Sequence, residues 1–343
     1  MFSVGGRDYE WLDIFLAAML RGEWRAFETR LVEALACLAE ASEEQYWPDA
    51  DRIDAAASAF RYDRDLLTSD ATIAWIEREG LTLDDWTNFL VGRLLVEEWS
   101  DRLALVDRHP PSPTVTDSAF AAWGICSGAF DAWAITLAGR AAVAATAANV
   151  ELEHATIDDA RLERARRDHA AWLEPIEPAI LADRLMFLDR LHSTFDAQAR
   201  ARTTPEALAA QLTRNRLEWM RVDLERLSFA TADAAREAAW CVLEDGLTLD
   251  DIAVDLGLAV HDSCELIERL DPEVREAVLG ANVDQLIGPV KVGDRHEVIW
   301  VVGKAVPDLA DPLVSARAAT AAIEQLVAMA TRSHVRWVGL PRF

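Results

Sequence analysis

The chain has 343 residues, of which 51% are hydrophobic, and its formal net charge at pH 7 is −25. This length accommodates about two or three domains with buried cores, and the hydrophobic content excludes disorder over most of the chain. The negative charge argues against binding of nucleic acid, which needs a cationic surface, and against binding to anionic membranes. A cationic or neutral peptide partner is compatible with it.

Cysteine usage and hydropathy indicate a cytoplasmic protein. Four cysteines lie far apart and form no CxxC pair: Cys37, Cys126, Cys241 and Cys264. Such thiols are typical of small buried side chains in a reducing compartment. The sequence does not open with a basic and then apolar leader, so we expect no signal peptide. The longest stretch of low charge, residues 119–150, contains Asp131 and Arg140, which favours a buried helix over a membrane span.

Most of the sequence before residue 216 has the apolar spacing of helices, as in Trp11, Ile14 and Ala18. The prolines within residues 108–116 predict a linker. Small residues at 124–128 predict that two helices pack closely there. We therefore divide the chain into an N-terminal helical domain (1–107), a second helical region (108–216), a small α/β domain (217–307) and a C-terminal helix with a tail (308–343).

The sequence Gly-Leu-Thr-Leu-Asp-Asp occurs twice, starting at Gly80 and at Gly246. In both copies the glycine is placed to end one helix in the left-handed conformation. The threonine is placed to cap the next helix, with the aspartates in its first turn. Two copies indicate either a duplicated domain or two uses of one helix-to-helix turn. The poor alignment of the flanking sequences favours the second interpretation.

The part after residue 216 alternates strands and helices. Residues 288–302 read GPVKVGDRHEVIWVV, with Gly293-Asp294 between two valine-rich runs, and this pattern predicts a β-hairpin. An isolated hairpin is at best marginally stable in water, so it needs further strands or a helix. The other predicted elements are a strand at 219–229, helices at 231–246, 249–256 and 271–279, a closing helix at 314–331, and a run at 335–338 that forms a strand or packs a tail.

This order of elements resembles that of parvulin-type prolyl isomerase domains. Residues 287–292 (Ile-Gly-Pro-Val-Lys-Val) resemble a Gly-Pro-Val strand of that family, and residues 293–301 resemble its closing strand. The resemblance covers about residues 221–307. A large helical part before such a domain and a closing helix after it are similar to SurA-like chaperones. Residues 59–95 resemble a narrower group, the bacterial peptide maturation system proteins found alongside ribosomally made, modified peptides.

The resemblance implies a histidine on the first strand and another on the last, around a central cysteine or aspartate. By alignment the first histidine falls on Arg226 or Glu225 and the second on Glu297, with His296 one place early. A slip of one residue moves a side chain to the other face of a sheet, so His296 serves only if a bulge lies at residues 294–295. The glycine-rich loop of the family is also missing, and residues 262–265 stand in its place.

Candidate site residues come from this alignment. His296 and Cys264, which lies near the central position, are the catalytic candidates if the domain is active. Four residues are expected to contact a bound peptide: Arg226, Glu297, Phe229 and Trp300. Turning a prolyl bond means crossing a barrier of about 18–20 kcal/mol. With the polar groups displaced, the domain is expected to bind peptide and to isomerise poorly or not at all.

Other motifs are weaker. Glu151 and His154 form one Glu-x-x-His pair, but di-iron carboxylate bundles use two such pairs, so a solvated charged face is favoured over a metal site. We find no nucleophile elbow and no glycine-rich phosphate loop, and we expect no cofactor. Most tryptophans have the spacing of core residues, while a few would suit an amphipathic groove.

Together these observations predict an α+β protein, predominantly helical, in which a large N-terminal helical region supports a small parvulin-like α/β domain and a closing helix. The favoured function is a cytoplasmic peptide-binding chaperone or accessory protein. Its client would be a precursor peptide or unfolded polypeptide, with modifying enzymes as further partners. An active prolyl isomerase using His296 and Cys264 is the alternative, and a peptide-modifying enzyme of unnamed chemistry is the second. The oligomeric state stays open.

Overall fold

The structure is a computed structural model that describes residues 1–99, 102–147 and 158–338. The chain divides into two compact units, the first formed by Met1–Gln198 and Val327–Phe343 and the second by Ala199–Leu326. Residues 1–107 and most of 108–216 thus fall in one unit, a coarser division than the four predicted parts. The helix-dominated α+β class predicted from the sequence is confirmed.

The first unit is built mainly from helices, and two of its helices continue along the chain into the second unit. Its described helices are α1 (Trp11–Arg21), α2 (Glu23–Glu43), α3 (Ala50–Tyr62), α4 (Ser69–Arg78), α5 (Leu83–Glu98), α6 (Arg102–Arg108), α7 (Pro113–Cys126), α8 (Ala129–Ala144), α9 (Asp159–Asp168), α10 (Ala170–Leu173), α11 (Pro178–Arg202) and, at the C-terminus, α16 (Pro312–His334).

Aromatic side chains fill the core of the first unit. Trp24 and Phe120 lie with ring centroids 4.6 Å apart, and Trp24 also stacks on Trp133 at 5.8 Å. The small residues predicted to allow close packing do so, because a Cβ built on Gly124 would meet the Phe130 ring at 2.1 Å. Five of the thirteen tryptophans are buried and five more are half-buried, in agreement with the core spacing of most of them, whereas Trp11, Trp47 and Trp240 are exposed.

The two ends of the chain meet in a small antiparallel sheet of the first unit. Within the described residues its strand order is β2 (Arg7–Tyr9), β1 (Phe2–Val4), β7 (Val335–Trp337). Phe2 lies opposite both Tyr9 and Trp337, and it is fully buried against the helices. The short strand proposed for residues 335–338 is confirmed, whereas β1 and β2 are not among the predicted elements.

The second unit is a sheet with helices on both faces. Its helices are α12 (Pro205–Arg214), α13 (Ala232–Asp245), α14 (Leu249–Leu256), α15 (Pro272–Gly280) and the first part of α16, and its strands are β3 (Arg221–Phe229), β4 (His261–Leu266), β5 (Gln285–Val292) and β6 (Arg295–Ala305). Among the described residues the sheet is four-stranded and antiparallel, in the order β4-β3-β6-β5. The predicted hairpin is β5-β6 and the predicted first strand is β3, but β4 is not among the predicted strands.

Successive side chains along each strand point to opposite faces of the sheet, so the second unit has two cores. Val222, Leu224 and Ile299 pack against Val274 and Val278 of α15, on what we name the α15 face. The opposite side, named the α13 face, packs against α13 and α14 through a second set of buried residues: Leu227, Phe229, Ala235, Ala238, Ala239, Leu249, Ile252 and Val298. A side chain on this sheet therefore belongs to one of two separate environments.

One described helix, Pro312–His334, is long and apolar enough to cross a membrane, and Val115–Cys126 with Ala129–Ala144 pass the same test as one bent span. Core helices of soluble proteins pass it too, so this is weak evidence for a membrane span. In α8, which covers much of the low-charge stretch of the sequence, Leu137 and Ala138 are fully buried within the first unit.

Candidate functional site

The strand register brings three charged side chains together on the α15 face. Arg226 of β3 lies opposite Ile299 of β6, so it points to the same side as that core residue. Glu297, two residues before Ile299, shares this face and lies opposite Ser228. On the other neighbour of β3, Glu265 of β4 lies opposite Val222, which also faces α15. Arg226 is thus placed between a carboxylate from each adjacent strand.

These three residues form an ion cluster, which we call the Arg226 cluster. Nη2 of Arg226 lies 3.5 Å from Oε1 of Glu265, and Nη1 lies 3.9 Å from Oε2 of Glu297. The side chains of Arg226 and Glu297 are 13% and 15% exposed, and that of Glu265 is 32% exposed. Both separations are longer than a charge-assisted hydrogen bond, so charge attraction rather than fixed geometry joins the three groups.

The cluster holds buried polar atoms that lack hydrogen bonds. Among the described residues, Nε and Nη2 of Arg226, Oε2 of Glu297 and Oγ of the neighbouring Ser263 have no hydrogen-bond partner. Leaving such an atom unsatisfied costs about 1–3 kcal/mol. Guanidinium donors beside a carboxylate acceptor match the C=O and N–H of a peptide group. These groups therefore have the hydrogen-bonding chemistry to pair with an amide, but the unsatisfied atoms are themselves buried. His261 of β4 lies directly opposite Arg226 and shares this face.

A bulge in β5 shapes the edge of this site. The pairing of β5 with β6 shifts between Ile287 and Val290, so both of these apolar residues face α15, with Val290 opposite Glu297. Gly288 within the bulge has φ +115°, and a Cβ there would meet the Glu297 carbonyl oxygen at 2.6 Å. Only glycine fits such a backbone. The Gly-Pro-Val sequence thus places an apolar side chain beside the Arg226 cluster.

The structure does not bring the other predicted site residues to this cluster. His296 lies opposite Phe229 and Lys291, and Phe229 and Trp300 pack in the core of the α13 face. The bulge required at residues 294–295 is absent, because Lys291 pairs with His296 and the next pair joins the flanking residues in unbroken register. His296 therefore points away from Arg226 and Glu297.

Cys264 also lies on the α13 side of the sheet. It is exposed on the edge strand β4, opposite Asp223. A hydrogen bond to the Asp223 carboxylate raises the pKa of the Cys264 thiol above its ordinary value, with desolvation adding to the effect. A raised pKa disfavours the thiolate that a nucleophilic cysteine requires. The residue of β4 that joins the cluster is its neighbour Glu265, which the sequence alignment does not single out.

A second candidate site is a groove inside the first unit, with a volume of about 1050 Å³. We call it the aromatic groove. Its walls include four aromatic residues, Trp11, Phe15, Trp75 and Phe130, and its polar lining includes Arg64 and Asp131. The exposed fraction of Trp11 is 39%, which is high for a tryptophan packed against two phenylalanines. The sequence indicates that some tryptophans suit a groove but does not identify which ones.

Arg64, which lines the aromatic groove, is held in place by two contacts. Its guanidinium lies 3.9 Å from the centroid of the Phe60 ring, and its Nη2 donates to the Cys126 carbonyl oxygen at 2.6 Å. Burial lowers the pKa of Arg64 from its ordinary value, although an arginine stays charged at neutral pH. A second depression of about 620 Å³ in the same unit shares Arg64 and Gly128 with the first.

Metal chemistry finds no support in the described part of the chain. No group of three or more histidine, cysteine, aspartate or glutamate side chains is placed to hold a metal ion among these residues. The Glu151–His154 pair considered from the sequence lies outside the described residues.

Comparisons with known proteins give partial similarities to solved structures. No family model and no curated protein matches the chain. PrsA from Bacillus subtilis is similar over 58% of this chain and 80% of its own, with 13% identity and a TM-score of 0.23. The peptidylprolyl isomerase PrsA from Bacillus anthracis is similar over 57% of this chain and 92% of its own, with 10% identity and a TM-score of 0.25.

A third similar structure comes from a report of two SurA-like chaperones of Campylobacter jejuni. It covers 55% of this chain and 83% of its own, with 8% identity and a TM-score of 0.21. Similarities at this level carry no argument about function. The function of this protein is therefore inferred from the geometry of the Arg226 cluster and the aromatic groove.

Proposed function

We propose that this protein is a peptide-binding chaperone or accessory protein that holds a polypeptide segment in the aromatic groove. The observation that carries the proposal is the groove itself, with its four aromatic residues and a volume of about 1050 Å³. Compact small-molecule pockets have volumes of about 300–1000 Å³ and bury most of their ligand. This groove lies at the top of that range, and its partial exposure of Trp11 suits a chain that enters and leaves the site.

The lining chemistry supports a polypeptide ligand. Aromatic rings bury large areas with few rotatable bonds, and tryptophan is enriched among residues that dominate binding energy. Arg64 and Asp131 add charged groups to the lining beside these rings. The aromatic rings make apolar contacts that do not depend on one particular sequence, so several sequences would bind.

Unfolded polypeptide binding has a direct test. The fluorescence anisotropy of a labelled, permanently unfolded polypeptide is measured with the wild-type chain, with Trp11→Ala and with the matched control Trp47→Ala. Trp47 is exposed but lies outside the groove. We expect Trp11→Ala to weaken binding at least about 5-fold, whereas Trp47→Ala stays within about 2-fold of wild type. Equal affinities for all three proteins would show that the polypeptide does not bind in the aromatic groove.

The second part of the proposal is that the parvulin-like sheet does not isomerise prolyl bonds efficiently. The resemblance implies histidines around a central cysteine or aspartate, but Arg226, Glu265 and Glu297 occupy the α15 face instead. Three charged side chains are not the groups that the resemblance implies for stabilising a twisted amide, whose formation crosses a barrier of about 18–20 kcal/mol. A protease-coupled assay on Xaa-Pro peptides should show no acceleration. Strong turnover would restore the active isomerase, with His296 and Cys264 as the residues to mutate.

The client class rests on the sequence resemblance. The similarity of residues 59–95 to peptide maturation system proteins supports a cytoplasmic role in which a precursor peptide is presented to modifying enzymes. A precursor peptide encoded beside this gene should then bind at micromolar concentration and leave with unchanged mass. A change in its mass would instead favour the peptide-modifying enzyme considered from the sequence.

A further inference from the structure

Helix α13 carries large apolar side chains on the side that faces away from the sheet. Its inner side packs through Ala235, Ala238 and Ala239, which are buried. On the outer side Trp240 is 69% exposed and Leu243 is 65% exposed. Single exposed apolar residues are common, but a tryptophan and a leucine three positions apart share one helical surface. This outer side lies away from the Arg226 cluster, which is on the other face of the sheet.

Acidic groups surround Trp240. It borders a shallow depression of about 630 Å³ whose lining also includes Asp233, Glu237, Glu244 and Asp245. Of the lining residues, all in the described part of the chain, Arg236 alone is basic. Its Nη1 donates to Oδ1 of Asp233 at 2.6 Å, so its charge is matched within the helix. An exposed indole therefore lies inside a field of negative charge.

We propose that the outer side of α13 docks a basic amphipathic segment of a partner polypeptide. The apolar side of such a segment would cover Trp240 and Leu243, while its lysines or arginines would reach Glu237, Glu244 and Asp245. Tryptophan binds cations over its ring face as well as apolar groups along its edges, so it contributes to both kinds of contact. The negative charge raises the rate of encounter with a cationic partner.

The charge pattern disfavours the other occupants of an apolar face. A second copy docked symmetrically would set the same four carboxylates against one another. An anionic membrane surface would be repelled by them, and so would an acidic peptide. The whole chain adds to this, since its net charge is −25. The same net charge means that a cationic peptide also has weak attraction for the rest of the surface, so the test must separate this site from general attraction.

The probe is a synthetic peptide of about 18 residues in which leucines recur at helical spacing on one side and lysines occupy the other. Its affinity for the full chain is measured by calorimetry, with a leucine–glutamate peptide of the same pattern as the negative control. Trp240→Ala removes the apolar contact, and Glu237→Lys/Glu244→Lys reverses the charge. Glu273→Lys/Glu276→Lys on α15 makes an equal change in net charge at other exposed positions. Trp47→Ala removes an exposed indole that lines neither this depression nor the aromatic groove.

We expect Trp240→Ala and Glu237→Lys/Glu244→Lys each to weaken binding at least about 10-fold, and the other two variants to change it by less than about 2-fold. The charge-reversed protein should gain affinity for the leucine–glutamate peptide. Binding should weaken as salt rises from about 50 to about 500 mM. Equal losses for the two charge-reversal variants, or no loss for Trp240→Ala, would overturn the proposal. A dimer in sedimentation experiments that Trp240→Ala dissociates would overturn it as well, by showing that a second copy is the occupant.

Discussion

Replacing Arg226 by methionine tests whether the Arg226 cluster stabilises the sheet through charge pairing. Methionine keeps most of the aliphatic stem of arginine, so packing against Ile299 changes little. The substitution leaves Glu265 and Glu297, which approach the guanidinium from two different strands, without their counter-charge. The two carboxylates then lie partly buried without the cation that pairs with both of them.

The distances between Arg226 and the two carboxylates set the size of the expected loss of stability. At an effective dielectric constant of about 20, charges 3.5 and 3.9 Å apart attract with roughly 4–5 kcal/mol per pair. Desolvation of the three groups offsets much of this attraction, and removing one partner of a buried pair costs about 3–5 kcal/mol. Because Glu265 is about one-third exposed, solvent screens its share. We expect Arg226→Met to lower the free energy of unfolding by about 2–4 kcal/mol.

Urea denaturation of the full chain measures the global loss, and hydrogen exchange of the β3 and β6 amides localises it to the sheet. The triple variant Arg226→Met/Glu265→Gln/Glu297→Leu removes all three charges, so most of the stability should return. Arg295→Met is the matched control, because Arg295 is exposed and donates only to Ser228. A loss below about 1 kcal/mol for Arg226→Met, or a triple variant as unstable as the single one, would contradict the charge-pair account.

Three further predictions concern stability. Burial, with three nearby arginines, holds the pKa of His192 well below that of a free histidine. Below a pH of about 6.5, His192 therefore becomes protonated in the unfolded state but stays neutral in the folded state. The free energy of unfolding then falls by up to about 1.4 kcal/mol per pH unit. In urea titrations from pH about 7.5 to about 5.0, the His192→Leu protein should lack this decrease in the free energy of unfolding. The same pH dependence in the wild type and the variant would contradict the prediction. Gly139→Ala should cost about 1–3 kcal/mol, because a Cβ there meets Val327 Cγ1 at 2.6 Å, and adding Val327→Ala should restore most of the melting temperature. Thr248→Ala removes the capping box of α14 and should cost about 1 kcal/mol, with faster hydrogen exchange in its first turn; unchanged exchange there would refute the role of the cap.

Local signals in the sequence predict the helix boundaries because the forces that set them are local. Thr82 and Thr248 cap α5 and α14 with a capping box, as expected from the repeated Gly-Leu-Thr-Leu-Asp-Asp sequence. Gly246 takes the left-handed conformation that ends α13. One copy of the phrase joins helices packed on helices and the other joins helices packed on a sheet. This difference in surroundings supports two uses of one turn rather than a duplicated domain.

The strands are harder to predict where their partners are distant in sequence. Strands β1 and β2 pair locally across the Gly5-Gly6 turn, but the third strand of their sheet, Val335–Trp337, comes from the other end of the chain to pair with Phe2–Val4. Strand β4 has a polar sequence because it lies at the edge of its sheet, where charged side chains discourage further pairing. Its register relative to β3, which decides that Glu265 rather than Cys264 joins Arg226, depends on tertiary pairing that no local pattern specifies.

The character of the Arg226 cluster bears on isomerisation beyond the loss of histidines. Rotation about a prolyl bond requires the amide to give up its resonance, in which the oxygen carries partial negative charge and the C–N bond has partial double-bond character. A guanidinium that donates to the carbonyl oxygen stabilises that resonance form more than the twisted amide. A prolyl carbonyl that accepted a hydrogen bond from Arg226 would therefore rotate more slowly than in water. On this reasoning, an arginine in the place where the resemblance implies a histidine would disfavour rotation of a prolyl bond held against it.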